Sequence, residues 1–237
     1  LSESFGYELA LYNIQPSFIV SAILSGIAIA PICILSKFAP DMTIDEGAGV
    51  MAILRTTKRA PGIMFLIAMA GVSFFGVSSF IVIYGLQNGL SLVDASFLLT
   101  AFMLGSLVLE TPLAFFSDFI NREKMIIALV LLCMVCAVFL PITIYVNYQA
   151  WALVFIWGGL IGAIYSVALT MIGDRFSSDE LVTATATYSF MECVGGGIGV
   201  ILIGTCMDLF DVDGLPYVIM FGAIAYFAYA LSQYEVK

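Results

Sequence analysis

Seven long apolar runs constrain this chain more than any other feature of its sequence. A bilayer core of about 30 Å needs about 20 consecutive apolar residues per helix. Runs of that length lie at about 17–38, 61–85, 94–116, 125–146, 151–173, 184–207 and 216–234. Backbone groups in lipid must be paired within their own segment, and runs this much longer than a barrel strand achieve that only as helices. The sequence therefore predicts an all-α, polytopic membrane bundle of seven transmembrane helices.

Composition excludes several classes of function. Hydrophobic residues make up 62% of the chain and charged residues 11%, against about 45–50% and about 25% in soluble domains, so a soluble fold is ruled out. The net charge of −9 offers no basic surface to nucleic acid. The chain has no His, which removes the commonest zinc ligand, the usual general base and the usual axial ligand of membrane haem proteins. No enzyme activity, metal or cofactor is therefore predicted.

The cations predict how the chain is oriented. When successive loops are assigned to alternate sides of the membrane, one side receives all eight: Lys37, Arg55, Lys58, Arg59, Arg122, Lys124, Arg175 and Lys237. All charged residues of the opposite loops are acids, among them Glu3, Glu8, Asp208, Asp211 and Asp213. Because cytoplasmic loops carry the excess of Lys and Arg, we expect the C-terminus in the cytoplasm and the N-terminus outside.

The first residues do not explain an external N-terminus. Residues 1–16 show no positively charged start and no cleavable signal pattern, and the chain begins with Leu1. We therefore expect the chain to be a fragment of a longer protein, with further membrane spans upstream.

Internal repetition is a second expectation. Transporters are often built from three-helix units related by inverted topology, and residues 61–146 and 151–234 are candidates for two such units. The middle helix of each is preceded by a capping-box pattern, Ser91 to Asp94 and Ser177 to Glu180. Capping boxes are common at helix starts, so an ordinary helix start explains the pattern equally well.

A short charged loop follows the third apolar run. The segment Pro112–Lys124 contains Asp118, Arg122 and Lys124. The carboxylate can accept bonds from helix-start amides, and the cations can reach acids of neighbouring helices, so the cluster can latch a cytoplasmic gate. Physical reasoning alone favours the simpler alternative, a membrane-surface anchor that only sets orientation.

This loop resembles the cytoplasmic signature of the major facilitator superfamily, G-x-x-x-D-[RK]-x-x-[GR]-R-[RK]. Asp118 and Arg122 match by spacing and Lys124 is a trailing cation, whereas Ala114 and Phe119 replace the leading Gly and the first cation. Four later segments resemble helices ten and eleven of a bacterial branch related to sugar and drug transporters: Gly158–Gly162, Tyr165–Phe176, Gly195–Gly199 and Cys206–Asp208.

The resemblance implies an arrangement of domains and a function. Residues 1–38 would be an external segment and the last helix of an N-terminal half, residues 39–60 a cytoplasmic linker with an amphipathic piece, and residues 61–237 the C-terminal six-helix half. The protein would be a secondary active transporter that moves a small solute by alternating access in a bacterial inner membrane. Its partners would be the small-molecule substrate, the lipid bilayer and the missing N-terminal half.

Two acids inside the apolar runs are the candidates for proton coupling. Glu110 and Glu192 lie roughly 10–13 Å from the cytoplasmic helix ends, too deep to reach headgroups easily. A carboxyl held away from water can bind and release a proton during transport. Ser106 lies one turn before Glu110, and Tyr188 and Ser189 lie one turn before Glu192. The alternative is a structural carboxylic acid, neutral or hydrogen-bonded to a neighbouring helix.

Hydroxyl groups are the candidates for substrate contacts. The resemblance implies that the helices at 61–85 and 151–173 line the central cavity, which selects Ser73, Ser78, Ser79, Tyr84, Tyr165, Ser166 and Thr170, with Tyr188 and Ser189 beside Glu192. Such hydroxyls more often bond to carbonyls of their own helix. The glycines of 158–162 and 195–199 predict close helix packing, with helix bending as the alternative.

Other functions remain open at this level. A seven-helix receptor would also have an external N-terminus, and signalling rather than uptake would support it. A retinal protein is excluded because the only Lys near the last run is Lys237. A membrane enzyme or redox subunit is poorly supported, because the sequence lacks His, a set of paired carboxylates and polar catalytic loops.

Overall fold

The computed structural model of the chain describes residues 50–234, together with Ile23, Gly26 and Ile27. Within residues 50–234 the regular structure is all helical, as the sequence predicts. Its elements are α1 (Val50–Arg59), α2 (Pro61–Gln87), α3 (Leu92–Phe116), α4 (Arg122–Thr143), α5 (Asn147–Arg175), α6 (Ser178–Phe210), a 3-10 turn (Asp211–Asp213) and α7 (Gly214–Tyr234). Residues 50–234 fall within one unit, Gly47–Lys237, and the seven helices named above belong to it.

The described residues contain five stretches long and apolar enough to cross a membrane. They are Pro61–Gln87, Leu92–Phe116, Arg122–Thr143, Tyr148–Arg175 and Ser178–Ala230. The last stretch contains α6 and most of α7, which the short 3-10 turn separates. The six predicted runs from residue 61 onward thus correspond to α2 to α7. The first predicted run, 17–38, lies outside the described residues apart from Ile23, Gly26 and Ile27, so seven spans remain a prediction.

Both predicted helix starts are confirmed, but only one of them carries the serine cap. The Ser91 hydroxyl accepts a hydrogen bond from the Asp94 amide at 3.1 Å and caps α3. At the start of α6, Ser177 makes no such bond to a backbone amide. Its hydroxyl donates instead to the Glu180 carboxylate at 3.1 Å, which also binds Arg59. The helix therefore begins at the predicted position, but the bond from the Glu180 amide to the Ser177 hydroxyl that would complete the capping box is absent.

A short amphipathic helix precedes the first described span. In α1, Val50, Met51 and Leu54 are exposed, whereas Thr56 is buried. The helix ends in Lys58 and Arg59 and packs against α6. The resemblance predicts an amphipathic segment within residues 39–60, and α1 is such a segment. Its position on the membrane surface remains a prediction.

Glycines bring the helices together in two close pairs, α3 with α5 and α2 with α6. A Cβ atom on Gly105 of α3 would lie 1.8 Å from the carbonyl oxygen of Phe155 in α5. A Cβ atom on Gly195 of α6 would lie 2.0 Å from the carbonyl oxygen of Ala68 in α2. Backbones approach this closely only where the side chain is a hydrogen atom. At these positions the glycines serve tight packing.

The described cations all lie at one end of the bundle, whereas acids lie at both ends. The charged end, where α2, α4 and α6 begin and α3, α5 and α7 end, carries the described cations: Arg55, Lys58, Arg59, Arg122, Lys124 and Arg175. The opposite end, called here the acidic end, carries Asp94, Asp208, Asp211 and Asp213. This location of the cations matches the alternation of loops that the sequence predicts.

Cysteine labelling tests on which side of the membrane each end lies. The five native cysteines are first replaced by Ala, and single cysteines are then introduced for reaction with a membrane-impermeant maleimide. We expect positions in 86–93 and 208–215 to react from outside, and positions in 117–124 and 174–183 only from the cytoplasm. Labelling of Asp118→Cys and Asp211→Cys from the same side would contradict the topology.

Candidate functional site: two intramembrane acids

One cavity within the bundle brings both intramembrane acids together. It has a volume of about 170 Å³ and lies between α2, α3, α5 and α6. Its polar wall consists of Ser106, Glu110, Tyr165 and Glu192, and Phe74 adds an aromatic surface. The two carboxyls belong to residues 82 positions apart (192 − 110) in the chain. We call this space the acid cavity.

Glu110 is bonded to a neighbouring helix. Its Oε1 atom accepts a short hydrogen bond from the Ser166 hydroxyl of α5. A Cβ atom on Gly162 would lie 3.1 Å from Glu110 Oε2 and 2.9 Å from the Ser106 hydroxyl, so α5 passes close to the carboxyl. Such a bond is the feature expected of a structural acid.

Glu192 has a different environment. It is half-buried, and within residues 50–234 its carboxyl forms neither a hydrogen bond nor an ion pair. Its backbone is fixed, since a Cβ atom on Gly71 of α2 would lie 2.2 Å from the Glu192 carbonyl oxygen. The carboxyl therefore faces the acid cavity from a rigid helix contact and is open to a proton or a ligand.

Two tyrosines join α5 and α6 beside the acids. The Tyr188 hydroxyl donates to the Tyr165 carbonyl oxygen at 2.6 Å. The two rings meet edge to face, with centroids 5.2 Å apart and an interplanar angle of 69°. Tyr188 is fully buried, whereas Tyr165 lines the acid cavity. Tyr188 thus supports the wall that Tyr165 presents.

Three other candidate hydroxyls bond to their own helices. Ser73, Ser78 and Thr170 each donate to the carbonyl oxygen three or four residues earlier, at 3.0, 3.2 and 2.7 Å. Bonding to the residue's own helix, the alternative to a substrate contact, is therefore what the structure shows for these three hydroxyls. None of the three lines the acid cavity.

The remaining candidates also lie away from the acid cavity. Tyr84 is fully buried, and its hydroxyl has no hydrogen-bond partner among the described residues. Ser79 is exposed. Ser189 is exposed on a shallow depression formed by α6 alone. Of the sequence candidates, the structure gathers Glu110, Glu192, Tyr165, Ser166 and Tyr188.

Ion pairs connect the loops of the charged end. Arg122 binds Asp118 at 3.3 Å and also binds Asp174 at the end of α5, so the α3–α4 loop is joined to α5. The Lys124 side chain is exposed, and the Asn121 side chain caps α4 by accepting a hydrogen bond from the Lys124 backbone amide. Asp174 is not among the predicted site residues, because its partner Arg122 lies 52 positions away in the chain and no local pattern indicates the pair.

A second ion pair attaches α1 to the bundle. Arg59 binds Glu180 at the start of α6, and its guanidinium carbon lies 5.1 Å from the centroid of the Phe176 ring. The arrangement is a cation–π contact next to a salt bridge. No pattern in the sequence predicts this pairing of Arg59 with Glu180.

The donor set of the described residues does not resemble a metal centre. No group of three or more Cys, Asp or Glu side chains in residues 50–234 is placed to hold a metal ion. The acid cavity offers two carboxyls, a serine and a tyrosine. Such groups can exchange protons or bind a polar solute.

Comparison with known proteins gives one match. The family model described as Major Facilitator Superfamily matches residues 4–200, which is most of the chain. Searches of the curated proteins and of the solved structures found no match.

Proposed function

The chain belongs to the Major Facilitator Superfamily and is part of an integral membrane transporter, and we propose that this transporter moves a small solute by proton-coupled alternating access. The observation that carries the proposal is the acid cavity, where two intramembrane carboxyls line one space. Ionisable groups at this depth are costly and concentrate at transport pathways. The family favours a transporter over a seven-helix receptor, and no enzymatic role is proposed.

The described spans, in this proposal, form the C-terminal half of the transporter. The support is the pattern of helix pairs. If α2–α4 and α5–α7 are inverted repeats, α3 corresponds to α6 and α5 corresponds to α2. The α3–α5 pair then corresponds to the α6–α2 pair, and these two pairs have the most extensive contacts in the bundle. In this proposal, an N-terminal half would complete the pathway on the other side of the acid cavity. The location of the described cations at the end where α7 finishes supports a cytoplasmic C-terminus. The bacterial inner membrane is proposed from the resemblance alone.

Glu192 is the proposed coupling residue, with Glu110 as the second choice. The Glu192 carboxyl has no described partner, so its protonation changes the charge of the acid cavity directly. Glu110 already accepts a bond from Ser166, and that bond ties its protonation to the α3–α5 contact. The substrate hydroxyl contacts proposed here are those nearest the acids, on Tyr165 and Ser166.

Solute flux in vesicles tests the proposed function. The complete transporter is reconstituted with a trapped pH-sensitive dye, and a panel of radiolabelled monosaccharides and cationic dyes is offered with and without an imposed pH gradient. We expect one of these solutes to move together with protons, and a protonophore to abolish its accumulation. Accumulation of a solute to the same level without a pH gradient would contradict proton coupling.

The Arg122 cluster is proposed to latch the charged end. We expect Arg122→Gln to raise maleimide labelling of Ser106→Cys from that end several-fold, because Arg122 joins the α3–α4 loop to Asp174. The free energy of unfolding should change by less than about 1 kcal/mol, since exposed ion pairs contribute little. Lys124→Gln is the matched control, because its side chain is exposed and forms no ion pair among the described residues. Equal labelling of both variants would contradict the latch.

A further inference from the structure

A second cavity opens at the charged end of the bundle. It has a volume of about 230 Å³ and lies between the starts of α2 and α4 and the ends of α5 and α7. None of its lining residues lines the acid cavity. It is therefore separate from the proposed transport site, and we call it the end cavity.

Two opposite charges line the end cavity without neutralising each other. Glu123 contributes a carboxylate from the first turn of α4, and Arg175 contributes a guanidinium from the last turn of α5. Both residues are exposed, and neither forms an ion pair with any residue in 50–234. Arg59 and Arg122, at the same end, are both paired. The end cavity thus offers one unpaired charge of each sign to the same occupant.

Two tyrosines form the wall contributed by α7. Tyr226 and Tyr229 both line the end cavity, and their rings lie 6.2 and 5.6 Å from the ring of Phe65 in α2. A Cβ atom on Gly62 would lie 3.2 Å from the Tyr229 ring, so this ring rests directly on the α2 backbone. Tyrosines with an apolar side and a polar tip are enriched where membrane proteins meet lipid headgroups.

A small apolar cavity adjoins the end cavity. A smaller cavity of about 30 Å³ shares Leu66 and Tyr226 with it. The other residues around this smaller space include Val130, Cys133 and Ile164, and its walls are almost entirely apolar. An occupant that fills both spaces must be polar at one end and apolar at the other.

We propose that the end cavity binds a zwitterionic phospholipid from the membrane leaflet at the charged end, with its phosphate on Arg175 and its ammonium group on Glu123. A guanidinium binds phosphate in a two-bond geometry, and an ammonium group suits both a carboxylate and the faces of tyrosine rings. Pockets for anionic headgroups collect several cations. Here one cation stands with one acid, which favours a headgroup carrying both charges.

Native mass spectrometry of the detergent-solubilised full protein tests the proposal. The probes are phosphatidylethanolamine, phosphatidylglycerol, which has the same phosphate but no ammonium group, and soluble phosphoethanolamine, which has the headgroup but no acyl chains. We expect phosphatidylethanolamine to be retained about tenfold more than phosphatidylglycerol, as one charge-assisted contact implies. Phosphoethanolamine should not be retained.

Substitutions identify the two charges. Glu123→Gln should remove the preference for phosphatidylethanolamine while leaving phospholipid bound, and Arg175→Gln should lower retention of both lipids about tenfold or more. Lys124→Gln and Asp179→Asn are matched controls, since they remove an exposed cation and an exposed acid that do not line the end cavity. Equal retention of both lipids by the unmodified protein would overturn the proposal. So would retention of phosphoethanolamine, or a preference that survives Glu123→Gln in protein that is still monodisperse by size exclusion.

Discussion

Replacing Glu192 with Gln is expected to abolish solute accumulation driven by a pH gradient, while solute binding and exchange persist. Gln has nearly the same shape as Glu but carries no titratable proton. With one proton per solute, a gradient of one pH unit supports about tenfold accumulation, since each unit corresponds to about 1.4 kcal/mol. The Gln variant should therefore equilibrate the solute to a ratio of about one. Radiolabelled uptake and counterflow in vesicles measure the two activities separately.

Two further variants separate coupling from general damage. Asp179→Asn removes an exposed acid from the first turn of the same helix and should leave accumulation unchanged. Glu110→Gln should weaken both coupling and the α3–α5 contact, because Glu110 accepts a bond from Ser166. If accumulation and its pH dependence survive Glu192→Gln unchanged, Glu192 is a structural acid.

The helical segments could be predicted because long apolar runs have few alternatives in lipid. Residues 61 to 234 give six such runs, and α2 to α7 coincide with them within several residues. The hydrogen bonds at a helix start are harder to predict from sequence. The Ser91 pattern forms its serine cap, whereas the similar Ser177 pattern does not, and its acid, Glu180, binds Arg59, which is 121 positions away in the chain. A local pattern carries no information about such a distant partner.

The candidate site, like the helices, could be predicted from the sequence only in part. Equal depth in the membrane marks Glu110 and Glu192 as members of one layer, and depth can be counted from the sequence. The partner of each acid depends on which helix faces meet, as with Ser166, which lies 56 positions from Glu110 in the chain. A serine can satisfy its hydroxyl on its own helix, so Ser73 and Ser166 look alike in sequence and differ in the structure.

Glycine positions provide the second large expected effect. Gly105→Ala is expected to lower the free energy of unfolding by about 3 kcal/mol or more and the Tm by on the order of 10 °C. The new Cβ atom would lie 1.8 Å from the Phe155 carbonyl oxygen and 2.6 Å from its carbonyl carbon. Both atoms belong to the backbone of a helix and cannot rotate away, so α3 and α5 must separate. Thermal unfolding in detergent, followed by size-exclusion fluorescence, measures the loss.

Gly197→Ala is the matched control for this substitution. Gly197 also lies within a membrane helix, but a Cβ atom there would meet nothing within 4 Å. Since Ala is a better helix former than Gly, the Tm of this variant should stay unchanged or rise slightly. Equal melting of the two variants would show that the close α3–α5 contact does not stabilise the bundle. A lower Tm for Gly105→Ala alone would connect packing to function. The helix α3 carries Glu110 and α5 carries Ser166, so separating these helices removes one wall of the acid cavity.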